Sequence, residues 1–217
     1  MRSYDEYCAI AKSLDLVGDR WTLLVVRELR LRGPSRYTDL RNGLPGVATN
    51  LLADRLRDLE AAGLVVREEA PPPVATTLFR LTPRGEGLRP VLDELMRWGL
   101  PLMVDQRPEE AVRSHWLAGA VELMVSDRHP EGDPVTLELR IADEPIAIAA
   151  HDGGTKVTLG AASDPDAALT GPEKPVLGLL LGLLQLGQAE GRGVSVIGDP
   201  AVVERFAPAN DNLEATS

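Results

Sequence analysis

One cysteine, three histidines, three tryptophans, three tyrosines and two phenylalanines are spread over 217 residues, and that scarcity removes whole classes of chemistry. A lone Cys8 closes no internal disulfide, so the fold must rest on apolar packing, and the cytoplasm is the expected compartment. His115, His129 and His151 are scattered, and none has a partner at the HxxxH or CxxC spacing that holds zinc. No metal and no other cofactor is expected. Gly178, Gly182, Gly187, Gly191 and Gly193 follow no strand in GxGxxG order, so no dinucleotide site is signalled. Asp152-Gly153-Gly154 reads as a turn, not a calcium loop. An enzyme is not expected. No apolar run approaches the ~20 residues of a membrane span. The longest, Val176–Leu186, is interrupted by Gly178 and Gly182 and reads as a buried helix. Met1–Cys8 is polar and lacks the apolar core of a signal peptide.

What is present is an ordinary 44% hydrophobic content in a chain long enough for two domains. The net charge of −10 sits badly with nucleic acid until its distribution is read: residues 1–104 carry +1 and residues 105–217 carry −11. In the first half Arg20, Arg27, Arg30, Arg32, Arg36 and Arg41 face only Glu28 and Asp39 along the sequence. Phosphates respond to local potential, because screening limits reach to roughly 8–10 Å. The acidic second half is not expected to touch nucleic acid.

Residues Thr38 to Thr82 read helix, turn, helix, hairpin. A short helix at Asp39–Leu44 is broken by Pro45-Gly46. A second helix, Thr49–Ala62, places Leu52, Leu56 and Leu59 on one face, and Gly63 ends it. Strands at Leu64–Ala70 and Thr76–Thr82 flank Pro71-Pro72-Pro73. This is a helix-turn-helix with a β-hairpin wing, an arrangement that lays its second helix in a DNA major groove. Before it, helices are expected at Tyr4–Val17 and Arg20–Arg32. After it, Thr82-Pro83 starts a helix running to about Met103, with Pro90 interrupting or kinking its first turns. Its stripe of Leu88, Val91, Leu92, Leu95, Trp98 and Leu102 is more apolar than one wing can cover. It is either a subunit interface or packed within one monomer.

At about 100° per residue, the face of Thr49–Ala62 opposite the leucines carries Asn50, Asp54, Arg57 and Ala61. Asn50 and Asp54 lie nearest the N-terminus, the end a recognition helix pushes deepest into the groove. Asn pairs well with adenine, and a carboxylate accepts from cytosine N4. Arg57 suits guanine or a phosphate, whereas Arg55 lies nearer the core side and suits a structural or phosphate role. Arg36 and Thr38 precede the first helix of the motif, a common phosphate position. In the wing, Arg67 and Arg80 are candidates for phosphate or minor-groove contact, diluted by Glu68 and Glu69.

Cys8 to Gly18 (CAIAKSLDLVG), Asp19 to Leu29 (DRWTLLVVREL), Tyr37 to Leu44, Leu44 to Val65, Phe79 to Gly85 (FRLTPRG) and Trp98-Gly99 together resemble the HxlR family of bacterial winged-helix transcription regulators, over about residues 5–100. The resemblance implies a homodimer formed through the N-terminal and post-wing helices, binding double-stranded DNA at an inverted repeat with one recognition helix per half-site. One departure is Ala48, where many relatives place a Ser or Thr that caps the recognition helix; Thr49 is the residue left to take over the cap. Cys8 sits where many relatives carry a cysteine, and some of those are thiol redox sensors. Asp5 and Glu6 would raise its pKa, while Lys12 and a helix N-terminus would lower it. A free cysteine is also a common buried residue, so redox and structural readings both stand.

Residues 105–111 read as a polar linker. A helix at Ala111–Val125 follows, with Val112, Trp116, Ala120, Leu123 and Met124 inward. Three strands alternate at period two: Val135/Leu137/Leu139/Ile141, Ile146/Ile148/Ala150 and Val157/Leu159/Ala161. A short strand at Ala167–Thr170, an apolar helix from Glu173 to about Leu184, a strand at Val194–Ile197 and a helix capped by Asp199-Pro200 complete the half. The expected class is α+β in two domains: residues 1–106 a mainly helical winged domain, and residues 107–208 an antiparallel-rich sheet covered by helices. Residues 209–217 are expected to be a flexible tail.

Ala168-Leu169-Thr170-Gly171-Pro172, the leucine-rich helix behind it and Val194 to Pro200 (VSVIGDP) resemble, more loosely, the sterol-carrier-protein fold. That resemblance implies an apolar cavity for acyl chains or sterols. The candidate lining is Trp116, Leu137, Leu139, Ile146, Ile148, Leu159, Leu177, Leu180 and Leu181, with Gly178 and Gly182 leaving room beside the helix. The alternatives are a solidly packed domain serving dimer geometry, or a lipid carrier as the main task of the chain.

Overall fold

The structure, a computed structural model, describes residues 3–71, 76–103, 109–151 and 153–208. The wing-tip prolines Pro72 and Pro73, linker positions 105–108, Asp152 and the tail from 209 lie outside the described residues. The chain forms two compact units, Met1–Glu109 and Glu110–Ser217.

In the first unit α1 (Ala9–Val17) starts later than the apolar spacing suggests. The segment before it folds back, because the Asp15 carboxylate accepts hydrogen bonds from Ser3 Oγ (3.0 Å) and Tyr4 N (2.9 Å). The chain turns there through Asp5 at φ +53°. Next, α2 (Thr22–Arg32) buries Val25, Val26 and Leu29. The motif itself is α3 (Tyr37–Gly43), a turn through Gly46 at φ +85°, and α4 (Thr49–Ala61), whose Leu52, Leu56 and Leu59 reach the core. The end of α4 follows from Gly63 at φ +68°: Leu64 N donates to Leu59 O (2.9 Å) and Gly63 N to Glu60 O (3.0 Å), satisfying carbonyls that the helix leaves open.

The wing is β1 (Val65–Glu69) against β2 (Thr77–Leu81), antiparallel from Val65↔Leu81 to Glu69↔Thr77. Ser35 ties the link between α2 and α3 to the wing, exchanging two backbone hydrogen bonds with Phe79 (2.9 and 2.8 Å). The single post-wing helix expected from the sequence is instead α5 (Pro83–Glu86), α6 (Arg89–Gly99) and a 3-10 turn at Leu100–Met103. Pro90, without an N–H, sits in the first turn of α6, so the chain restarts a helix there rather than bending one. Of the apolar residues on α6, Leu92 is buried, while Val91, Leu95 and Trp98 are exposed, as is Leu102 in the 3-10 turn.

The second unit holds a five-stranded sheet in the order β6-β5-β4-β7-β8, with β4 (Val135–Arg140), β5 (Ile146–His151), β6 (Gly154–Leu159), β7 (Ala167–Thr170) and β8 (Ser195–Gly198). Among the described residues β4 and β7 pair in parallel and the other neighbours of this sheet are antiparallel. Around the sheet lie α7 (Ser114–Met124), α8 (Glu173–Leu180), α9 (Leu186–Glu190) and α10 (Pro200–Arg205). A separate ladder pairs β3 (Val125–Asp127) with β9 (Phe206–Pro208). Neither α9 nor this ladder was legible as an element.

Of the residues expected inward around α7, Met124 is buried, while Val112, Trp116, Ala120 and Leu123 are only half buried; the other buried positions of the helix are Ser114, His115, Leu117, Ala118, Gly119 and Val121. The N-terminus of α7 is fixed by the β4–β5 turn. Ser114 N donates to Asp143 Oδ1 (2.7 Å), Ser114 Oγ donates to Glu144 O (2.6 Å), and Glu144 N donates back to Ser114 Oγ (2.9 Å). Helix α8 stops four residues early. Gly182, at φ +72°, donates to Leu179 O, and Leu183 N donates to Gly178 O (2.8 Å). The chain thus turns back and lays Leu184 over Gly178, where a Cβ would meet Leu184 Cδ1 at 3.0 Å. The room expected beside Gly178 is occupied.

Candidate nucleic-acid interface

The face of α4 expected to meet DNA is set by the three core leucines, which fix the helix's rotation. Asn50, Arg57 and Ala61 are left exposed and Asp54 half exposed. The angle between the two helices of the motif is held by Tyr37, whose hydroxyl donates to Thr49 O at 2.6 Å. Thr49 does not take over the cap: Ala48 is the N-cap, Thr49 is the first helical residue, and no cap side chain satisfies the first-turn N–H groups. That end of α4, with Ala48, Thr49 and Asn50 all exposed, offers open donors and a positive dipole end to an anion.

Arg36 and Thr38 are exposed at the start of α3, where the Arg36 N–H is engaged by Asp39 Oδ2 (3.1 Å). Between α3, α4 and the wing lies an open cleft of about 610 Å³, lined by Arg36, Tyr37, Thr38, Ala53, Leu56, Arg57, Arg67, Thr76, Thr77 and Phe79. Four of the expected contact residues meet in it: Arg36, Thr38, Arg57 and Arg67. Thr49, Asn50 and Asp54 lie on α4 outside its lining.

The wing divides its arginines. Alternation along the strands puts Val65, Arg67 and Glu69 on one face with Thr77, Phe79 and Leu81, and puts Val66, Glu68, Leu78 and Arg80 on the other. The first face reaches the cleft. Arg67 lies over the Phe79 ring, 5.3 Å from its centroid, and donates from Nη2 to Glu60 Oε2 at 2.9 Å. Arg80, on the second face, is ion-paired with Glu68. The pairing holds the Glu68 carboxyl below its ordinary value, by the hydrogen bond from Arg80 first, and raises Arg80 in turn. Tyr37, Thr76, Thr77 and Phe79 were not singled out from the sequence. The alternation of Thr77 with Phe79 was the available signal.

The apparent basic cluster of the first half is smaller in space than in sequence. Glu28, fully buried, accepts from Arg27 (2.7 Å) and pairs with Arg32 (3.4 Å). Arg30 pairs with Asp93 (2.6 Å) and Arg55 with Asp19 (3.2 Å) and Asp58 (3.3 Å). These are structural pairs, and burial itself pushes Arg27 below its ordinary value. Gly43 is obligatory beside them, since a Cβ there would lie 2.1 Å from Glu28 Oε2. Arg36 and Arg41 have no ion-pair partner among the described residues.

A family model described as HxlR-like helix-turn-helix matches residues 16–106, the span that contains this whole arrangement. The chain is 33% identical to the uncharacterised HTH-type transcriptional regulator YvaP of Bacillus subtilis, over 40% of this chain and 80% of that protein. It is 36% identical to YkvN, a second such regulator of the same organism, over 42% of this chain and 77% of that one. The chain belongs to the HxlR-like helix-turn-helix family. Among solved structures, the reduced form of the transcriptional regulator YodB from B. subtilis is similar at 27% identity, with a TM-score of 0.40, covering 47% of this chain and 100% of that one.

Two further sets of candidates lie away from the family's helix-turn-helix. Cys8 is the exposed N-cap of α1. Of the opposing influences around it, the helix terminus prevails: the backbone N–H groups of Ala11 and Ile10 hold its thiol below the ordinary value. In the second unit, the nine candidate ligand residues do not come together. Leu137, Leu139, Ile146, Ile148 and Leu180 are packed in one closed cluster, with Leu177 half buried against it. Trp116 stands edge-on to His115 (5.6 Å between ring centroids), Leu181 is half buried past the end of α8, and Leu159 is exposed on the edge strand β6.

Proposed function

We propose that this chain is a bacterial, cytoplasmic transcription regulator, with no catalytic activity, that binds double-stranded DNA through α4 and the adjoining cleft. The cleft carries the reading: three arginines, Arg36, Arg57 and Arg67, line one opening along α4, the helix whose uncapped N-terminus also exposes Asn50. That combination supplies phosphate grip and base reading in one surface. Asn50 and Asp54 read base edges, with Arg36, Thr38, Thr49, Arg57 and Arg67 on the backbone side.

The working form is a homodimer on an inverted repeat. Its support is the apolar surface that α1 and α6 leave open: Tyr7, Ile10 and Leu14 on one side, and Val91, Leu95, Trp98 and Leu102 at helical spacing on the other. Exposed large apolar side chains grouped at helical spacing on one helix mark an interaction site. The test is selection of bound duplexes from random DNA by the purified full chain. A two-fold symmetric consensus is the expected result; no enrichment overturns the reading.

For residues 110–208 two readings compete, an acyl- or sterol-sensing domain of sterol-carrier type and a solid structural domain. The closed packing of the central leucines and isoleucines, and Leu184 over Gly178, favour the solid domain. Native mass spectrometry with added fatty acid separates them, since a stoichiometric adduct would restore the ligand reading.

A further inference from the structure

Glu60 is neither a lining residue of the cleft nor one of the residues expected at the DNA, yet it holds one that is. Its carboxylate, in the last turn of α4, accepts from Arg67 Nη2 at 2.9 Å. The Arg67 guanidinium also lies over the Phe79 ring, 5.3 Å from the centroid. Arg67 is therefore held on its flat face and at one end. Its remaining N–H groups have no acceptor among the described residues, and half of the side chain stays exposed at the cleft.

A carboxylate beside a phosphate site has two opposed effects. It repels the phosphate, and it fixes a long side chain that would otherwise be ordered only on binding. Glu60 lies outside the cleft lining, so its repulsion acts past the guanidinium and through screening solvent. Ordering is the larger effect, because an arginine already fixed in a planar, hydrogen-bonded pose loses less freedom when it binds. We propose that Glu60, with Phe79 beneath, is a positioning residue that holds Arg67 ready as a clamp for a DNA phosphate in the cleft. The proposal rests on the DNA-binding reading above.

The test is a double-mutant cycle in the full chain, titrated over a salt series. The probes are a duplex carrying the site selected by the wild-type protein and a scrambled duplex of equal length. Arg67→Gln is expected to weaken both duplexes and to lower the steepness of the salt dependence by about one. Glu60→Gln is expected to weaken binding roughly three- to tenfold, the cost of ordering one rotamer-rich side chain, with the salt dependence unchanged because the guanidinium remains. Glu60→Ala, which keeps no acceptor, loses at least as much. In the Arg67→Gln background the Glu60→Gln change should shrink to within about twofold, as coupling through Arg67 requires. Tighter binding by Glu60→Gln overturns the proposal, as does an equal loss in the Arg67→Gln background, or an Arg67→Gln protein that binds as wild type. A wild-type protein that binds neither duplex is a different result, and it removes the DNA-binding reading and this proposal together. Matching unfolding midpoints for the variants show that the readout is binding and not folding.

Discussion

Arg57 in the first unit and Arg205 in the second are each paired with an aspartate, and the two pairs differ in almost everything else. Arg205 donates to both Asp127 oxygens (2.7 and 2.8 Å) and to the carbonyls of His129 (2.9 Å) and Asp133 (2.5 Å), with about a tenth of its side chain exposed. It ties α10 to β3 and the loop after it. Among the described residues Arg57 has only Asp54, one turn away on the same helix, and 70% of its side chain is exposed. A buried, fully bonded pair is costly to break from either side. An exposed i,i+3 pair contributes little and exchanges readily, so a phosphate or base edge can displace Asp54 from Arg57. Apolar surface follows the same division. The first unit leaves Val91, Leu95 and Trp98 open at helical spacing along α6, and Ile10 and Leu14 along α1, while the exposed Leu159, Leu183 and Ile197 of the second unit stand apart from one another in the chain. The first unit keeps its chemistry available to other molecules; the second spends it on itself.

Breaking the apolar face should have the largest effect on function. Trp98→Asp places a charge where the stripe is widest, on a side chain 73% exposed in the single chain. The expected outcome is a monomer that folds but loses cooperative binding of paired half-sites, a drop of roughly 100-fold or more if each half-site alone binds weakly. Sedimentation and gel-shift titration check it, and a Trp98→Asp protein that remains dimeric would move the interface elsewhere. Core truncation sharpens the contrast in stability. Leu139→Ala and Leu56→Ala should each cost about 2–5 kcal/mol. Hydrogen exchange should show lost protection in the sheet for the first and in the winged motif for the second.

Base reading is the next effect in size. Asn50→Ala should cost ~1–3 kcal/mol on the selected site and relax preference at one base pair. Loss of affinity on every sequence alike would instead make Asn50 a backbone contact.

Lowering the pH sharpens the contrast on the other side. The Asp127 carboxyl is held below its ordinary value by the Arg205 hydrogen bonds, and that of Glu138 by Arg140 and then by the Ala162 N–H. A carboxyl whose folded value is depressed stabilises the fold above the ordinary carboxylate range, and that stability is lost as pH falls through the folded value. The second unit should therefore lose tertiary circular dichroism first in acid, and Asp127→Asn should make the loss shallower. Cys8 offers a smaller effect. Its thiol is exposed and lowered, so diamide should modify it more readily at a given pH than an ordinary exposed cysteine, with gel shifts showing whether DNA binding follows.

How much of this was legible depended on whether a residue's role is local. The core stripe Leu52/Leu56/Leu59, the stop at Gly63 and the caps at Thr82 and Asp199 are set by neighbours in sequence, and all appear where spacing put them. The exposure of Asn50, Arg57 and Ala61 followed from the same wheel. Roles fixed by distant partners were not legible. The start of α7 is fixed by Asp143, 29 residues away, and the fate of the arginine cluster by Asp93 and the burial of Glu28. Gly178 and Gly182 looked like vacancies because nothing in the spacing shows that Leu184 turns back.

The smallest effect expected is at Arg80, where strand alternation and composition gave different answers. As a wing arginine it had the same standing as Arg67 in the sequence. Its register partner is Val66, so it shares a face with Glu68 and lies opposite the face that carries Arg67, Thr77 and Phe79 to the cleft. Its guanidinium is engaged by Glu68 on that second face, away from the cleft lining. Arg80→Gln should therefore change affinity by no more than about twofold, the scale of an exposed ion pair. Arg67→Gln should reduce the salt dependence by one phosphate. Parallel salt titrations of the two variants decide the matter. If Arg80→Gln flattens the salt dependence as much as Arg67→Gln, both faces of the wing touch DNA and the cleft is not the whole of the interface.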